Sequence, residues 1–348
     1  MMPVSSRVGV SFLIPVHNGE PFLRAVLDAV LAEAAAHPAF VVEIIAVDDG
    51  GGDGSRAILD TYAAAGKVRI VDGAHHGAAA ALNVGIRAAS HAIICQVDQD
   101  VIIKPGWLPT LVAALADPAV AAAQGYYETP TDGSLWAKTM GYDVQLRYED
   151  IRGDDVDHVC TGNAAYRRQA LLDVGLFDES FGYGYDNDMS YRLAAAGHRL
   201  VICREARSIH RWKNRLWAYL RQQYGQGYGR LDLVAKHPRH VHGDIVSRTL
   251  MMAHAPLTAL ALVLILLSPV SRIVWSTYLP LYLGLALLGG LGLERLVAGI
   301  RAARRFSSWA PLGFVVAHLL RDVAWSVAIV RWTIRRTVGV PRRPTQSM

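Results

Sequence analysis

Residues 91–100 read HAIICQVDQD, an apolar run that ends in two carboxylates, Asp98 and Asp100. The run is short and contains several β-branched residues, so we predict a buried strand. Acidic residues after a strand either mark an ordinary turn or hold a divalent cation, and this stretch by itself leaves both alternatives open. On a backbone that is still extended, residues two apart point to the same side, so both carboxylates would reach one Mg²⁺ or Mn²⁺ ion.

The segments around this run alternate between strand and helix patterns. The alternation predicts βαβ units, and therefore an α/β fold with a mostly parallel sheet flanked by helices. Ligands of such sheets bind at the carboxyl ends of the strands, where Asp98 and the pair Asp48 and Asp49 fall. The predicted strands are 8–16, 41–48, 67–73, 91–100, 119–127 and 198–206, and the predicted helices are 20–36, 55–65, 78–90, 107–117, 134–148, 167–175 and 187–197.

Charge divides the chain into two parts. The first 200 residues hold 14 Lys and Arg against 25 Asp and Glu, whereas the remaining residues hold 21 against 5. Hydrophobic residues make up 52% of the chain. A basic region interleaved with long apolar segments fits an anionic membrane surface better than it fits nucleic acid. We therefore expect membrane lipids as a partner and no nucleic acid.

The cysteines and the first residues indicate the compartment. Cys95, Cys160 and Cys203 are widely spaced and form no CxxC pair, which argues against a disulfide framework or a structural zinc site and fits a reducing compartment. The first 20 residues contain no secretory signal pattern. We therefore expect residues 1–210 to form a cytoplasmic domain that is held at the inner (plasma) membrane.

Apolar segments follow a basic aromatic region. Residues 211–245 resemble an amphipathic helix that lies in a membrane interface. Within a membrane region at 246–335, the segments 249–268 and 277–297 are long enough to span, since a span takes about 20 residues. More arginines follow the second segment than lie between the two. The positive-inside rule therefore predicts a hairpin with both ends cytoplasmic.

The third apolar segment, 311–332, carries Arg321 and Asp322 in its middle, which is costly at bilayer depth. A full span would also place the basic tail, 336–348, outside the cell, against the positive-inside rule. The segment therefore either lies in the interface or spans with its charges paired, and the charge pattern favours the interface.

A second acidic motif, AVDDGGGDGS (46–55), joins carboxylates to a glycine-rich turn. It is not a Walker A loop, because no Lys-Ser or Lys-Thr follows the glycines, and it does not read GxGxxG. Glycines permit a tight turn and a close approach of the backbone to a ligand. One interpretation is that Asp48 or Asp49 accepts hydrogen bonds from a nucleotide base or ribose, and the alternative is an acidic surface turn.

Six blocks of sequence, in this order, resemble the family 2 glycosyltransferases, whose catalytic domain has the GT-A fold. The resemblance covers roughly residues 8–240, and the ordered set is far more specific than any single block. Residues 210–239, with the apolar segments after them, are similar to the membrane-bound exopolysaccharide enzymes of the succinoglycan type. The blocks are FLIPVHNGEPFLRAVLDAVL, VDDGGGDGS, ALNVGIRAAS, QVDQD, GNAAYRRQALLDVGLFDE and YDNDMSYRLAAAGHRL.

The resemblance implies roles for individual residues. Asp186 matches the catalytic base, and Asp188 is the alternative because Tyr185 stands where the family usually has glutamate. Asp100 matches the principal metal ligand, and His210 matches a histidine that often completes the metal site. Nucleotide-sugar contacts are implied for Pro15, Asn18, Asp48, Asp49 and Asp98, the last of which also lies beside the cation.

Each assignment has a structural alternative. Asp186 and Asp188 would also serve as caps of the helix predicted at 187–197. His210 would also serve as an ordinary packed histidine. The remaining expected contacts to the acceptor or the diphosphate, with a turn or a solvent-facing side chain as the alternative, are Gly162, Asn163, Arg221 and Gln222.

Taken together, these features predict a membrane-anchored, inverting glycosyltransferase that uses a divalent cation, Mg²⁺ or Mn²⁺. The expected donor is a nucleotide-diphosphate sugar, with UDP as the expected nucleotide. The expected acceptor is a lipid-linked or growing polysaccharide at the cytoplasmic face of the membrane. A polyprenyl phosphate is the alternative acceptor, and a non-catalytic, membrane-tethered binding subunit is the alternative from another class of protein.

Overall fold

The computed structural model describes residues 7–339, which fall into two compact units. The first unit contains residues 7–130 and 151–211, and the second contains residues 131–150 and 212–339. Most of the basic tail predicted at 336–348 lies outside the described residues, as do the first six residues of the chain.

The first unit is built on one sheet. Its strands within the described residues are β1 (Val8–Val16), β2 (Phe40–Asp48), β3 (Arg69–Asp72), β4 (Ile93–Val97), β5 (Val101–Ile103), β6 (Val120–Glu128), β7 (Asp155–Val156), β8 (Asn163–Arg167) and β9 (Arg199–His210). Their order is β3-β2-β1-β4-β8-β6-β9-β5, with β7 beside β9. Among these described strands, β5, β7 and β8 run opposite to the other six, so the predicted mostly parallel α/β sheet is confirmed.

Helices cover both faces of this sheet. Those of the first unit are α1 (Glu20–Ala36), α2 (Ser55–Ala64), α3 (Ala78–Ala88), α4 (Trp107–Ala114), α6 (Arg168–Asp173) and α7 (Tyr185–Ala195). Successive side chains of β1 point to opposite faces. Phe12 stacks on Trp107 of α4 with ring centroids 5.9 Å apart, while Leu13 joins a core cluster with residues of α3, α6 and α7. Apolar burial on both faces explains why β1 is almost continuously apolar.

The second unit contains the remaining helices. These are α5 (Leu135–Glu149), α8 (Leu216–Lys236), α9 (Thr249–Trp275), α10 (Leu279–Phe306) and α11 (Phe314–Val338). In the described chain, α9, α10 and the stretch Ala310–Val338 are long and apolar enough to cross a membrane. The backbone of α10 packs closely on α9 at Gly284, where a Cβ atom would lie 2.7 Å from the Ala261 carbonyl oxygen. Small residues permit such close packing of apolar helices.

The structure differs from the sequence predictions at three points. The short strands β5, β7 and β8 were not predicted, because two are very short and β8 (NAAYR) is too rich in small residues to show a strand pattern. The backbone after β4 is not extended, since the Val101 N–H donates to the Asp98 carbonyl at 3.0 Å and closes a turn. Helix α7 begins at Tyr185 with Gly184 as its cap, so the prediction that Asp186 and Asp188 precede or cap the helix is wrong.

The topology gathers the polar motifs at one edge of the sheet. The carboxyl ends of β1, β2, β4 and β9 meet there, because these strands point the same way. The opposite direction of β8 brings its first residue to the same edge, where Asn163 pairs with Val97. This edge therefore collects the residues that follow each of these strands and those that precede β8.

The close packing of α3 on β1 gives a stability prediction. A Cβ atom at Gly85 would lie 2.0 Å from Leu13 Cδ1 in a fully buried region. We expect Gly85→Ala to destabilise the fold by about 1–3 kcal/mol through overpacking. Thermal unfolding of the purified full chain checks this. Gly52→Ala is the control, because no atom lies within 4 Å of its Cβ position, and equal melting temperatures for the two variants would contradict the packing described here.

Candidate active site

Gln99 ties the ends of β1 and β4 together. Its Oε1 accepts a hydrogen bond from the His17 N–H, and its Nε2 donates to the His17 carbonyl, both at 2.8 Å. Gly19 is required beside it, because a Cβ atom there would lie 2.4 Å from Gln99 Oε1. Gln99 was not predicted from the sequence, where the only indication of its role is its position between two aspartates.

The loop after β1 meets the glycine-rich loop after β2. Asn18 has a positive φ of 55°, a conformation that asparagine adopts more readily than most residues. Its Oδ1 accepts from the Gly52 N–H at 2.8 Å. Pro15 pairs with Val47 in the β1–β2 register. Pro15 and Asn18 therefore lie beside the Asp48–Asp49 motif, and their contact with a nucleotide sugar stays a prediction.

Asp48 and Asp49 have different environments. Asp48 Oδ2 forms an ion pair with Arg56 at 3.1 Å, and its Oδ1 accepts from the Gly50 N–H at 3.1 Å. Asp49 is 6% exposed, and its Oδ2 accepts from the Gly77 N–H at 2.9 Å. Its other oxygen, Oδ1, is buried without a hydrogen-bond partner. A buried acceptor without a partner is costly, so Asp49 is the better candidate to receive a donor group from a ligand.

Asp98 lies over the backbone at the start of β8. Its N–H donates to the Gly162 carbonyl at 3.2 Å, and a Cβ atom at Gly162 would lie 2.1 Å from Asp98 Oδ2. Asn163 is fully buried, and its Oδ1 accepts from Trp107 Nε1 at 2.6 Å. Asn163 is therefore the first residue of a buried strand, and Gly162 is the residue whose lack of a side chain leaves room for the Asp98 carboxylate.

Asp100 and His210 come together from distant parts of the chain. The short strand β5 pairs with the end of β9, with Val101 opposite His210, and the Arg211 N–H donates to the Asp100 carbonyl at 2.9 Å. His210 Nε2 lies 3.6 Å from Asp100 Oδ1. Two ligand atoms at this separation can share one cation, and carboxylate and imidazole are both metal ligands. The residues therefore fit a divalent cation.

Asp186 and Asp188 both lie in the first turn of α7, where the helix dipole favours carboxylates. Asp188 is fully buried, and its Oδ2 lies 2.8 Å from Arg192 Nη2. Asp186 is only half-buried. The two candidate bases thus differ, since Asp186 is partly exposed whereas Asp188 is buried in an internal ion pair with Arg192.

Two tyrosine hydroxyls lie near Asp98 and Asp186. Burial, together with the charges of Asp98 and Asp186, raises the pKa of Tyr185 well above its usual value. Burial and the Asp186 charge likewise raise the pKa of Tyr166. The charges of both carboxylates act on both hydroxyls, and Tyr185 carries a neutral hydroxyl.

The last two predicted contacts lie in the second unit. Arg221 and Gln222 are on α8, with Arg221 exposed and Gln222 half-buried. Their contact with an acceptor or a diphosphate stays a prediction.

A family model matches the chain over residues 11–175, and its description is "Glycosyl transferase family 2". This range contains the AVDDGGGDGS motif, the QVDQD segment and strand β8. It ends before Asp186 and His210.

Curated relatives extend the similarity. A pre-mycofactocin glycosyltransferase of Mycobacterium tuberculosis is 27% identical over 71% of this chain, which matches 52% of that protein, so the chain spans about half the length of this relative. An uncharacterized glycosyltransferase of Mycobacterium bovis is 31% identical over 55% of this chain and 82% of its own length.

Among solved structures, a mannosyltransferase from Pyrobaculum calidifontis in complex with GDP-Man and Mn²⁺ has a similar fold. The TM-score is 0.57 at 18% sequence identity, over 92% of this chain and 88% of that chain. The described sheet and helices therefore form a GT-A fold.

The Asp100–His210 pair leads to a prediction for metal binding. We expect Asp100→Asn and His210→Ala each to weaken Mn²⁺ binding about 10-fold or more, because the first replaces a charged carboxylate by a neutral amide and the second removes the imidazole nitrogen. Electron paramagnetic resonance of free Mn²⁺ in the presence of the purified chain measures this. Asp117→Asn is the control, since Asp117 forms an exposed ion pair with Arg199. If both site variants bound Mn²⁺ as tightly as the wild type, the cation would have to bind elsewhere.

Proposed function

Because this chain belongs to glycosyl transferase family 2, we propose that it transfers a sugar from a nucleotide-diphosphate sugar, with UDP as the expected nucleotide, to a lipid-linked or growing polysaccharide acceptor. The transfer takes place at the cytoplasmic face of the plasma membrane and inverts the anomeric centre. The observation that carries the proposal is the meeting of Asp100 with His210 at the sheet edge that also holds Asp49 and Asp98.

Donor binding begins at the glycine-rich loop. The unpaired Oδ1 of Asp49 accepts an N–H of the nucleotide base, which satisfies a buried acceptor. Asp48 keeps its ion pair with Arg56 and holds the loop in place. Pro15 and Asn18 line the same pocket, and Asp98 faces the ribose and the diphosphate. Asp100 and His210, with Asp98 beside them, would hold Mg²⁺ or Mn²⁺, which supplies positive charge to the leaving diphosphate.

The chemical step requires a base for the acceptor. Asp186 accepts the proton of the acceptor hydroxyl as its oxygen bonds to the anomeric carbon. The bond from that carbon to the phosphate oxygen breaks, and the nucleoside diphosphate leaves. A single base opposite the leaving group gives in-line displacement, and therefore inversion. Tyr185 stands where the family usually has glutamate. Its hydroxyl is neutral, so it does not repel the negative charge of Asp186 as a second carboxylate would.

A donor screen tests the proposal as a whole. The purified chain is heated with a panel of UDP-, GDP- and dTDP-sugars, each with Mg²⁺, Mn²⁺ or EDTA. A true donor at 100 times its Kd stabilises the fold by about 2.7 kcal/mol, and we expect this stabilisation to require the cation. The absence of a shift with every donor would contradict the proposal.

The two acids of the glycine-rich loop provide a sharper test. We expect Asp49→Asn to weaken binding of the matching nucleoside diphosphate about 10- to 100-fold, because a charge-assisted hydrogen bond contributes about 1.5–3 kcal/mol. Isothermal titration calorimetry measures this. Asp48→Asn is the matched control, and it should change the affinity less because Asp48 is already paired with Arg56. If Asp48→Asn weakened nucleotide binding more than Asp49→Asn, the assignment of the base contact to Asp49 would be wrong.

The two acids of α7 provide the corresponding test of the chemical step. We expect Asp186→Asn to lower kcat about 10²- to 10⁴-fold, the usual range for a general base, with donor affinity unchanged. Asp188→Asn should instead lower the melting temperature, because it breaks the buried pair with Arg192. Rates of nucleoside diphosphate release and thermal unfolding of both variants check this. An Asp186→Asn variant with wild-type turnover would exclude Asp186 as the base.

A further inference from the structure

Helices α8 and α11 lie side by side and run in the same direction. Their contacts advance from Tyr219 to Asp232 along α8 and from Ala317 to Trp332 along α11, which is about 20 Å of helix. Two helices that pack in parallel over this length share the same depth in a membrane. The contacts are Tyr219 Oη to the Ala317 carbonyl at 2.8 Å, Gly227 against the Trp325 ring, and Trp332 Nε1 to Asp232 Oδ1 at 2.9 Å.

Helix α8 is too polar for the hydrocarbon core. Its sequence, LWAYLRQQYGQGYGRLDLVAK, contains four charged residues, three glutamines and three glycines. A charged residue at the centre of a span costs about 2.5–3.5 kcal/mol. Among the helices of residues 7–339, α8 is not one that is apolar enough to span. The composition of α8 therefore suits a depth that water reaches, and its parallel packing with α11 would give α11 the same depth.

The contacts of α11 with α9 indicate a crossing. Arg321 Nη2 lies 3.2 Å from His254 Nδ1, and Ser326, more than a turn further along α11, donates to the neighbouring Ala255 carbonyl at 3.0 Å. The Thr258 hydroxyl donates to Asp322 at 3.3 Å. If α11 spanned the membrane alongside α9, its later residues would contact positions progressively further along α9. Instead, these contacts stay within the first three turns of α9.

The charges of α11 are paired at this crossing. Asp322 accepts from Arg295 of α10 and from Arg321, the latter at 3.1 Å. His318 Nε2 lies 3.4 Å from Asp143 Oδ1 of α5. The far end of α5 pairs with the basic end of α10, since Arg305 Nε lies 2.6 Å from Glu149 Oε2. Arg295 follows the apolar stretch of α10 (279–293), and His254 lies near the start of α9, so the paired charges lie at the border of the apolar part of the hairpin.

The surface of α11 that faces away from these partners is apolar. The spacing of its exposed residues, by seven, four, three and four positions, keeps them on one side of the helix. An apolar stripe on a helix with a basic end is typical of helices that lie in a membrane interface. Near that end, the Arg335 and Arg336 guanidinium groups lie over the rings of Tyr228 and Trp332. The exposed apolar residues on this side are Val316, Val323, Val327, Val330 and Ile334. Towards the C-terminal end of α11, Arg331, Thr333, Arg336, Thr337 and Val338 are also exposed.

We propose that α11 lies in the plane of the membrane interface, paired with α8, and that α9 and α10 alone cross the bilayer. The partner of the valine stripe is the boundary between acyl chains and anionic headgroups in the leaflet where α9 begins. This arrangement keeps the start of α9, the end of α10 and both ends of α11 on one side of the membrane. It also keeps their arginines on that side, in agreement with the positive-inside rule.

Single-cysteine labelling tests the topology. The full chain, with Cys95, Cys160 and Cys203 replaced by serine, receives His242→Cys, Ser276→Cys, Ser307→Cys or Thr337→Cys, all at exposed positions. A membrane-impermeant maleimide is applied to right-side-out and inverted vesicles. We expect the variants at 242, 307 and 337 to react from one side and the variant at 276 from the other. Reaction of Thr337→Cys from the same side as Ser276→Cys would overturn the proposal.

A depth measurement distinguishes the two arrangements without relying on sidedness. Spin labels at positions 316, 323 and 330 lie on one stripe that covers about 21 Å of α11. Oxygen accessibility in vesicles of phosphatidylglycerol and phosphatidylethanolamine reports the depth of each label. We expect similar, shallow depths for an in-plane helix. A steady change in depth along the three labels, through the middle of the bilayer, would show a third span and contradict the proposal.

Discussion

The turn that follows β4 is the constraint on which the site depends. The Asp98 carbonyl accepts the Val101 N–H, so the chain reverses within four residues and enters β5, which pairs with the end of β9. This pairing places Asp100 beside His210. Within the same turn, Gln99 holds the end of β1. One short segment thus connects the metal candidates to the strand that leads to the proposed nucleotide pocket.

In two of the acidic motifs, one of two neighbouring acids forms an ion pair with an arginine. Asp48 pairs with Arg56 and Asp188 with Arg192, so each of these acids has its charge compensated within the protein. Asp49, in contrast, keeps a buried oxygen without a partner, and Asp186 stays half-buried at the start of α7. Arginine partners therefore distinguish the two acids of each motif, a distinction that the acidic motifs alone do not make.

Local patterns in the sequence predicted most strands of the sheet, but not the short strands that run opposite to the others. The strands β1, β2 and β4 were predicted because burial on both faces makes them nearly continuous apolar runs, and the helices between them because burial of one face gives a helical period. Strand β8 was missed because small residues such as Ala164 and Ala165 show no period, and β5 because three residues are too few. Gln99 and Arg56 act through contacts made only after folding, so the sequence contained no signal for their partners.

The most direct test of the account is the position of a bound cation. Crystals of the full chain grown with a nucleoside diphosphate and Mn²⁺ would be measured at the manganese absorption edge. We expect one anomalous peak within coordination distance of Asp100 and His210. The diphosphate should contact the ion at this peak, and the nucleotide base should lie at Asp49. A peak away from both ligands, with the nucleotide bound elsewhere than at Asp49, would contradict the account.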